Sequence, residues 1–268
     1  MTISSVHTSK GEVRYAKCCS GPRNMIMLPG VSVTSVLGSA AAVETAYESF
    51  NGKYTIYLFE YPGNYPEGAE IGYLADMLAE AIRLLELKNC CLFGASFGGM
   101  LGQVLLAEYP ELFVSAALSS TVARITDASP DTIRRWHEVA LLGDVRTLNL
   151  AFYDAVYSDE YQMKFAEPIR KALDNGSKTD CRVMAEHTGM ILRADLRAND
   201  RKIKIPTLMI GANQDHVFSI EDISQTAQLI GCKTVLYDEY SHAVFDEAPD
   251  FKQKILDHFE ESHVGGKT

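Results

Sequence analysis

Residues 92–102 read LFGASFGGMLG, four glycines and one serine set between an uncharged run and a helix-forming stretch that ends at Pro110. A glycine inside a regular element costs about 0.5–1 kcal/mol relative to alanine, so four at one corner imply a backbone path that other residues cannot follow. Gly94, Ser96 and Gly98 spell Gly-x-Ser-x-Gly between a buried strand and a helix, the context of a nucleophile elbow, in which a strained serine projects its hydroxyl above the sheet edge. The N–H of Phe97, at the helix start, would then face a developing oxyanion, aided by the helix dipole. A phosphate loop would place a lysine after its glycines, and a dinucleotide fingerprint would spell G-x-G-x-x-G; this stretch does neither. A tightly packed strand-helix corner with no chemistry is the ordinary alternative.

Outward from this corner, apolar runs recur at 25–30 (MIMLPG), 55–63, 90–96, 114–120, 205–213 and 233–241. Near-continuous apolar runs are what strands covered on both faces require. Helix-period stretches alternate with several of them; in residues 72–88, Leu74, Leu78, Ile82 and Leu85 form one stripe. This alternation predicts an α/β fold with a mostly parallel sheet flanked by helices. The opening segment alternates and turns at Lys10-Gly11, as an antiparallel hairpin does. From Thr121 to Arg201 the strand pattern gives way to helical patterning, with breaks expected near Asp127–Pro130, at Pro168 and at Asn175-Gly176. That is too long for a plain connection, so residues 121–201 are expected to form a helical cap inserted into a core of residues 1–120 and 202–268.

The chain has 268 residues, 47% hydrophobic, and a formal net charge of −10. It can bury a large core, and it lacks the basic stripe that binds nucleic acid. The first residues lack a secretory layout, so a cytoplasmic protein is expected. CCLFGASFGGMLGQVLLA (90–107) is uncharged and long enough to span a bilayer, but its glycines, Ser96 and Gln103 suit a buried strand, turn and packed helix. The six cysteines include the vicinal pairs Cys18-Cys19 and Cys90-Cys91. They read as small apolar strand residues, without the spacing of a zinc site.

A serine hydroxyl needs a base and an orienting acid. Asp215 follows the apolar run 205–213, and His242 follows the run 233–241. Groups at the carboxyl ends of parallel strands converge on one rim, and the order Ser, Asp, His is the one the elbow architecture uses. Asp127 and Asp238 are weaker substitutes for the acid. His7, His258 and His263 lie near the termini, His137 and His187 fall in the expected cap, and His216 follows Asp215; a packing or solvated role is the default for each. A second oxyanion donor is expected from LPGVS (28–32), with Gly30 permitting a sharp turn and the Val31 N–H donating.

Together LPG, YPG (61–63), LFGASFGG, KIKIPTLMIGANQD and SHAVFDEAPD resemble the α/β-hydrolase superfamily over nearly the whole sheet domain, in particular its small esterase-like serine hydrolases. The last stretch is similar to the family's His-x-x-x-x-Glu-x-Pro ending, carried here by His242, Glu247 and Pro249, and the elbow is similar to that of maspardin-like members. Pro29-Gly30 departs from the usual His-Gly, and Glu60 replaces an aspartate before YPG. The resemblance implies hydrolysis of a small-molecule ester or thioester by Ser96, His242 and Asp215, with no metal or organic cofactor and a monomer or homodimer. Gly30, Trp136, Phe152, Tyr157 and His187 are candidates to line the substrate site, beside Tyr153, Met163, Phe165, Met184 and Met190, while the ordinary role of the aromatic and methionine side chains is to hold the expected cap helices to each other and to the core. A proline-iminopeptidase-like enzyme using Asp131, Glu138 or Asp144, a C–C hydrolase or lyase, an acyltransferase, and a non-catalytic ligand-binding protein remain open alternatives.

Overall fold

Along the strand at Met25–Leu28, successive side chains enter opposite cores: Ile26 and Leu28 join one apolar cluster, Met25 and Met27 the other. The same alternation runs through Tyr57 and Phe59 against Ile56 and Leu58, and through Leu92 against Cys91 and Phe93. Both faces of these strands are therefore covered, which is why their sequences are apolar without a polar alternate. A computed structural model of the chain describes residues 1–167, 171, 179–198 and 203–265.

The strands are β1 (Thr2–Thr8), β2 (Gly11–Cys18), β3 (Arg23–Leu28), β4 (Tyr54–Glu60), β5 (Cys90–Ala95), β6 (Phe113–Ser119), β7 (Thr207–Ala212) and β8 (Lys233–Tyr237). They form an eight-stranded sheet in the order β1-β2-β4-β3-β5-β6-β7-β8. The β1–β2 hairpin is antiparallel and joins β4 antiparallel; every later pairing is parallel. The mixed sheet, the opening hairpin and the later strands expected from sequence are all present, within a few residues of the expected limits.

Helices α1 (Ala40–Ala46), α2 (Ile71–Leu84) and α3 (Phe97–Glu108) follow the first central strands. In α2 the stripe Leu74, Leu78 and Ile82 is fully buried, and each such side chain contributes about 1.5–3 kcal/mol of burial; Leu85 falls just past the helix and is half-buried. Among the described residues between β6 and β7 there are helices α4 (Thr132–Leu142), α5 (Val145–Val156), α6 (Asp159–Lys164) and α7 (Cys181–Arg193), and no strand. Their Ile133, Trp136, Leu148, Met184 and Ile191 join the same apolar cluster as α2 and α3. The break near Asp127–Pro130 is the loop before α4, whereas Pro168, Asn175-Gly176 and the expected boundary at residues 201–202 lie outside the described residues. Helix α8 (Ile220–Ile230) follows β7, and α9 (Val244–Glu247) and α10 (Phe251–Gly265) follow β8.

All six cysteines are free. Cys18, Cys90 and Cys91 are buried strand residues as expected, and burial pushes the Cys90 and Cys91 thiols up to about 12. The strand reading fails for the other three: Cys19 lies just past β2 at φ 57°, Cys181 opens α7, and Cys232 precedes β8. Among the described residues no helix is long and apolar enough to cross a membrane.

Candidate active site

Ser96 takes φ 54° and ψ −120° between β5 and α3. This is a conformation that a side chain disfavours and that persists only where the surroundings over-determine it. They do so through three kinds of bond. The Ser96 N–H donates to Ser119 O on the adjoining β6 (2.8 Å), its carbonyl accepts from the Gly99 and Met100 amides of α3, and it also accepts from Thr121 Oγ1 (2.8 Å).

The glycines explain why the corner can close this tightly. A Cβ on Gly94 would sit 2.5 Å from Gly98 O, and one on Gly98 would sit 2.1 Å from Leu28 O, both backbone atoms that cannot yield. Gly99 presses on the Thr121 side chain, and Gly102 on Leu92 and Leu118, so the latter two glycines serve the packing of α3 on the sheet. Gly30 belongs to the same corner for a reason other than the expected turn. Its φ is not positive; a Cβ there would lie 3.1 Å from Ser96 Cβ and 3.6 Å from Ser96 Oγ. The loop carrying Gly30 and the buried Val31 thus passes directly over the serine, and Tyr61 Oη fixes it by donating to Pro29 O (2.7 Å).

At the ends of later strands the structure brings Asp215 and His242 together. The Asp215 carboxylate accepts from the Val217 and Phe218 amides at Oδ1 (2.7 and 2.9 Å), which fixes it in its own turn after β7. His242 Nδ1 lies 2.9 and 2.8 Å from Oδ1 and Oδ2. A carboxylate only accepts, so Nδ1 carries a proton, and of the two neutral tautomers the geometry selects the one whose lone pair is on Nε2. Phe218 stands edge-on to the imidazole at 5.5 Å. Ser96 and His242 are each only 3% exposed. The substitute acids go elsewhere: Asp127 lies in the loop before α4, and the Asp238 carboxylate accepts from Asn213.

His187, on α7, sits on the elbow. Its ring stacks on Phe97 at 5.2 Å, meets Tyr61 edge-on at 5.7 Å, and pairs through Nε2 with Tyr65 Oη at 3.0 Å. Burial drives its pKa down to about 4, opposed by a hydrogen bond to the Pro62 carbonyl, so the ring is neutral at pH 7 and Nε2 accepts from the tyrosine. With Gly30 and Tyr61, His187 borders a cleft of about 350 Å³ that also takes in Ser32, Ser35, Glu60 and Asp180.

Of the other expected lining residues, Trp136 is buried and packs on Phe152 at 5.1 Å. Tyr157 stacks between Tyr153 and Tyr161, and its hydroxyl reaches Asp246. Tyr61, Tyr65 and Thr121 were not singled out from sequence: a lone threonine after a strand carries no pattern, though the YPG stretch already contained Tyr61. Among the described residues no group of His, Cys, Asp and Glu is arranged to hold a metal ion.

A profile described as the alpha/beta hydrolase fold matches residues 36–249. The chain is 26% identical over 210 residues to 3-oxoadipate enol-lactonase 2 of Acinetobacter baylyi, covering 75% of this chain and 76% of that enzyme. To the pimeloyl-[acyl-carrier protein] methyl ester esterase of Aeromonas hydrophila it is 23% identical over 217 residues, covering 77% and 85%. Among solved structures, the enol-lactonase from Burkholderia xenovorans superposes with a TM-score of 0.80 at 21% identity, over 96% of this chain and all (100%) of that one. An esterase from Exiguobacterium antarcticum gives 0.80 at 20% identity, over 96% and 99%. With its elbow, its sheet order and a profile match over most of its length, the chain belongs to the α/β-hydrolase fold family.

Proposed function

We propose that the protein is a serine hydrolase that cleaves a small carboxylic ester or thioester through an acyl-enzyme. Ser96 Oγ attacks the acyl carbon while His242 Nε2 takes its proton; Asp215 holds the imidazolium that results. The tetrahedral oxyanion is received by the Phe97 and Val31 amides, each worth ~3 kcal/mol of barrier. His242 then protonates the leaving alcohol or thiol, and water, activated by the same imidazole, releases the acid. The observation that carries this reading is the buried Asp215–His242 pair, with Nδ1 committed to the carboxylate, on the same sheet rim as a strained serine.

In this reading residues 121–201 act as a cap over a core of residues 1–120 and 202–268, and His187 seats that cap against the elbow. The carboxylates that an aminopeptidase would turn toward a substrate amine have other surroundings. Asp131 pairs with Arg134, Asp144 caps α5 through the Thr147 amide, and Glu138 is exposed. The names of the relatives, a lactonase and a methyl ester esterase, agree with an ester or lactone as the substrate.

Labelling with a fluorophosphonate probe tests the proposal. Wild-type protein should be labelled covalently and Ser96→Ala should not. Folded wild type that resists the probe, or labelling that survives in Ser96→Ala, refutes it.

A further inference from the structure

The loop that carries His242 is bonded on both sides of the histidine to partners that lead into the α5–α6 turn. The Ser241 N–H donates to Glu247 Oε2 (3.2 Å), and the Ala243 N–H donates to Val156 O (2.9 Å). The other oxygen of the same carboxylate, Glu247 Oε1, accepts the Ser158 N–H (2.7 Å). Val156 ends α5 and Ser158 caps α6, so one carboxylate and one carbonyl strap the α5–α6 turn to the backbone either side of the imidazole. Tyr157, between them, adds a longer contact from its hydroxyl to Asp246 (3.4 Å).

We propose that Glu247 is a positioning residue that couples the α5–α6 turn to His242, so that the imidazole is held against Asp215 only while that turn is seated. The proposal rests on the serine hydrolase reading for its consequence in catalysis, although the coupling itself is independent of it. A carboxylate is needed because both of its oxygens accept from backbone N–H groups. A glutamine has one oxygen and one NH₂, so it must turn a donor toward either Ser241 or Ser158.

The test follows the Nδ1 proton of His242 by NMR in full-length protein labelled with ¹⁵N-histidine, the signal being assigned by its loss in His242→Gln. In wild type this proton should exchange slowly with water. Glu247→Gln should speed its exchange about tenfold or more, as expected of a local opening.

Ser158→Pro should do the same, because it removes the N–H given to Glu247. Its φ of −64°, and the extended Tyr157 before it, suit a proline. Ser158→Ala keeps that N–H and loses only the hydroxyl that caps the Tyr161 amide, so it should leave exchange unchanged. The double variant Glu247→Gln/Ser158→Pro should add little to either single change, since each cuts the same Ser158–Glu247–Ser241 strap at one of its two bonds in series.

Unchanged exchange in Glu247→Gln and Ser158→Pro, with cooperative thermal unfolding retained, overturns the proposal even if both variants are less stable. If Glu247→Gln fails to fold, Ser158→Pro, which leaves the carboxylate in place, decides alone. The rate of fluorophosphonate labelling on the same samples should fall in parallel with the loss of exchange protection. Absence of labelling in wild type would defeat the hydrolase reading, while the exchange result would still decide the strap.

Discussion

His242 Nδ1 faces both carboxylate oxygens of Asp215 at 2.8–2.9 Å, and the acid is itself held at Oδ1 by two amides of its own turn. The acid therefore cannot swing with the ring, and the ring has one tautomer that satisfies it. Asp215→Asn keeps the shape but offers an NH₂ that favours the opposite tautomer, taking the lone pair away from Nε2. We expect kcat for a p-nitrophenyl ester to fall by about 10⁴ with little change in KM. A loss under tenfold in Asp215→Asn would show that this pair does not orient the base.

Most of the sheet was legible because burial on both faces writes itself as uninterrupted apolar sequence. Asp215 and His242 were legible because each falls just past such a run. His187 was legible only as a remote candidate for the substrate site, because a histidine on an amphipathic helix reads alike whether it meets solvent or stacks on Phe97. Gly30 was legible as a turn residue, but what the structure adds is its closeness to Ser96: its φ is not positive, and a methyl there would press on the serine side chain. The helices between β6 and β7 were legible as helices. Which of their residues reach the elbow was not, since that depends on how α7 crosses the loop after β4, and no periodicity encodes it.

Gly30 and Gly98 should separate activity from stability. At Gly30 a methyl would meet the side chain of Ser96 at 3.1 Å, a contact relieved by a shift of a few tenths of an ångström. Gly30→Ala should unfold at a temperature close to wild type yet lose about tenfold or more in kcat, as small misplacements of reacting groups do. At Gly98 the methyl would meet Leu28 O at 2.1 Å, so Gly98→Ala should lose about 3 kcal/mol or fail to fold. Thermal unfolding and ester kinetics on the two variants check this; equal effects of both would contradict it.

We expect the acyl chain to enter the cleft that Gly30 shares with the Ser96 corner, so charge around that cleft should show in substrate preference. Among the described residues its lining includes Glu60 and Asp180, each ion-paired with an arginine outside that lining, and no lysine or arginine. His187 adds no cation at neutral pH, because burial holds its pKa near 4. An acyl chain ending in a carboxylate should therefore react more slowly than its neutral counterpart, by about fivefold at most, because a like-charge contact at about 4 Å in a water-like dielectric costs about 1 kcal/mol and each carboxylate already has an arginine partner. Comparing kcat/KM for p-nitrophenyl butyrate and the p-nitrophenyl monoester of succinate at low salt measures it. The gap should narrow as salt is added; equal rates at low salt would remove the cleft from the substrate path.

His187 also makes a prediction about stability against pH. Its folded-state pKa, about 4, lies below the ordinary value of 6.5. Between those values the unfolded chain binds the proton and the folded protein does not, so stability is lost as pH falls through this window. The full penalty, reached below about pH 4, is on the order of 3 kcal/mol for a shift of this size. Buried His258 and the partly buried His263 are shifted the same way and add to the slope. Glutamine at 187 does not titrate and can both donate to the Pro62 carbonyl and accept from Tyr65. The unfolding free energy of His187→Gln, measured by urea denaturation from pH 7 to pH 4, should therefore decline less steeply than that of wild type. Parallel curves for the two proteins would mean that the imidazole is not desolvated against Phe97, and that α7 does not rest on the elbow in solution.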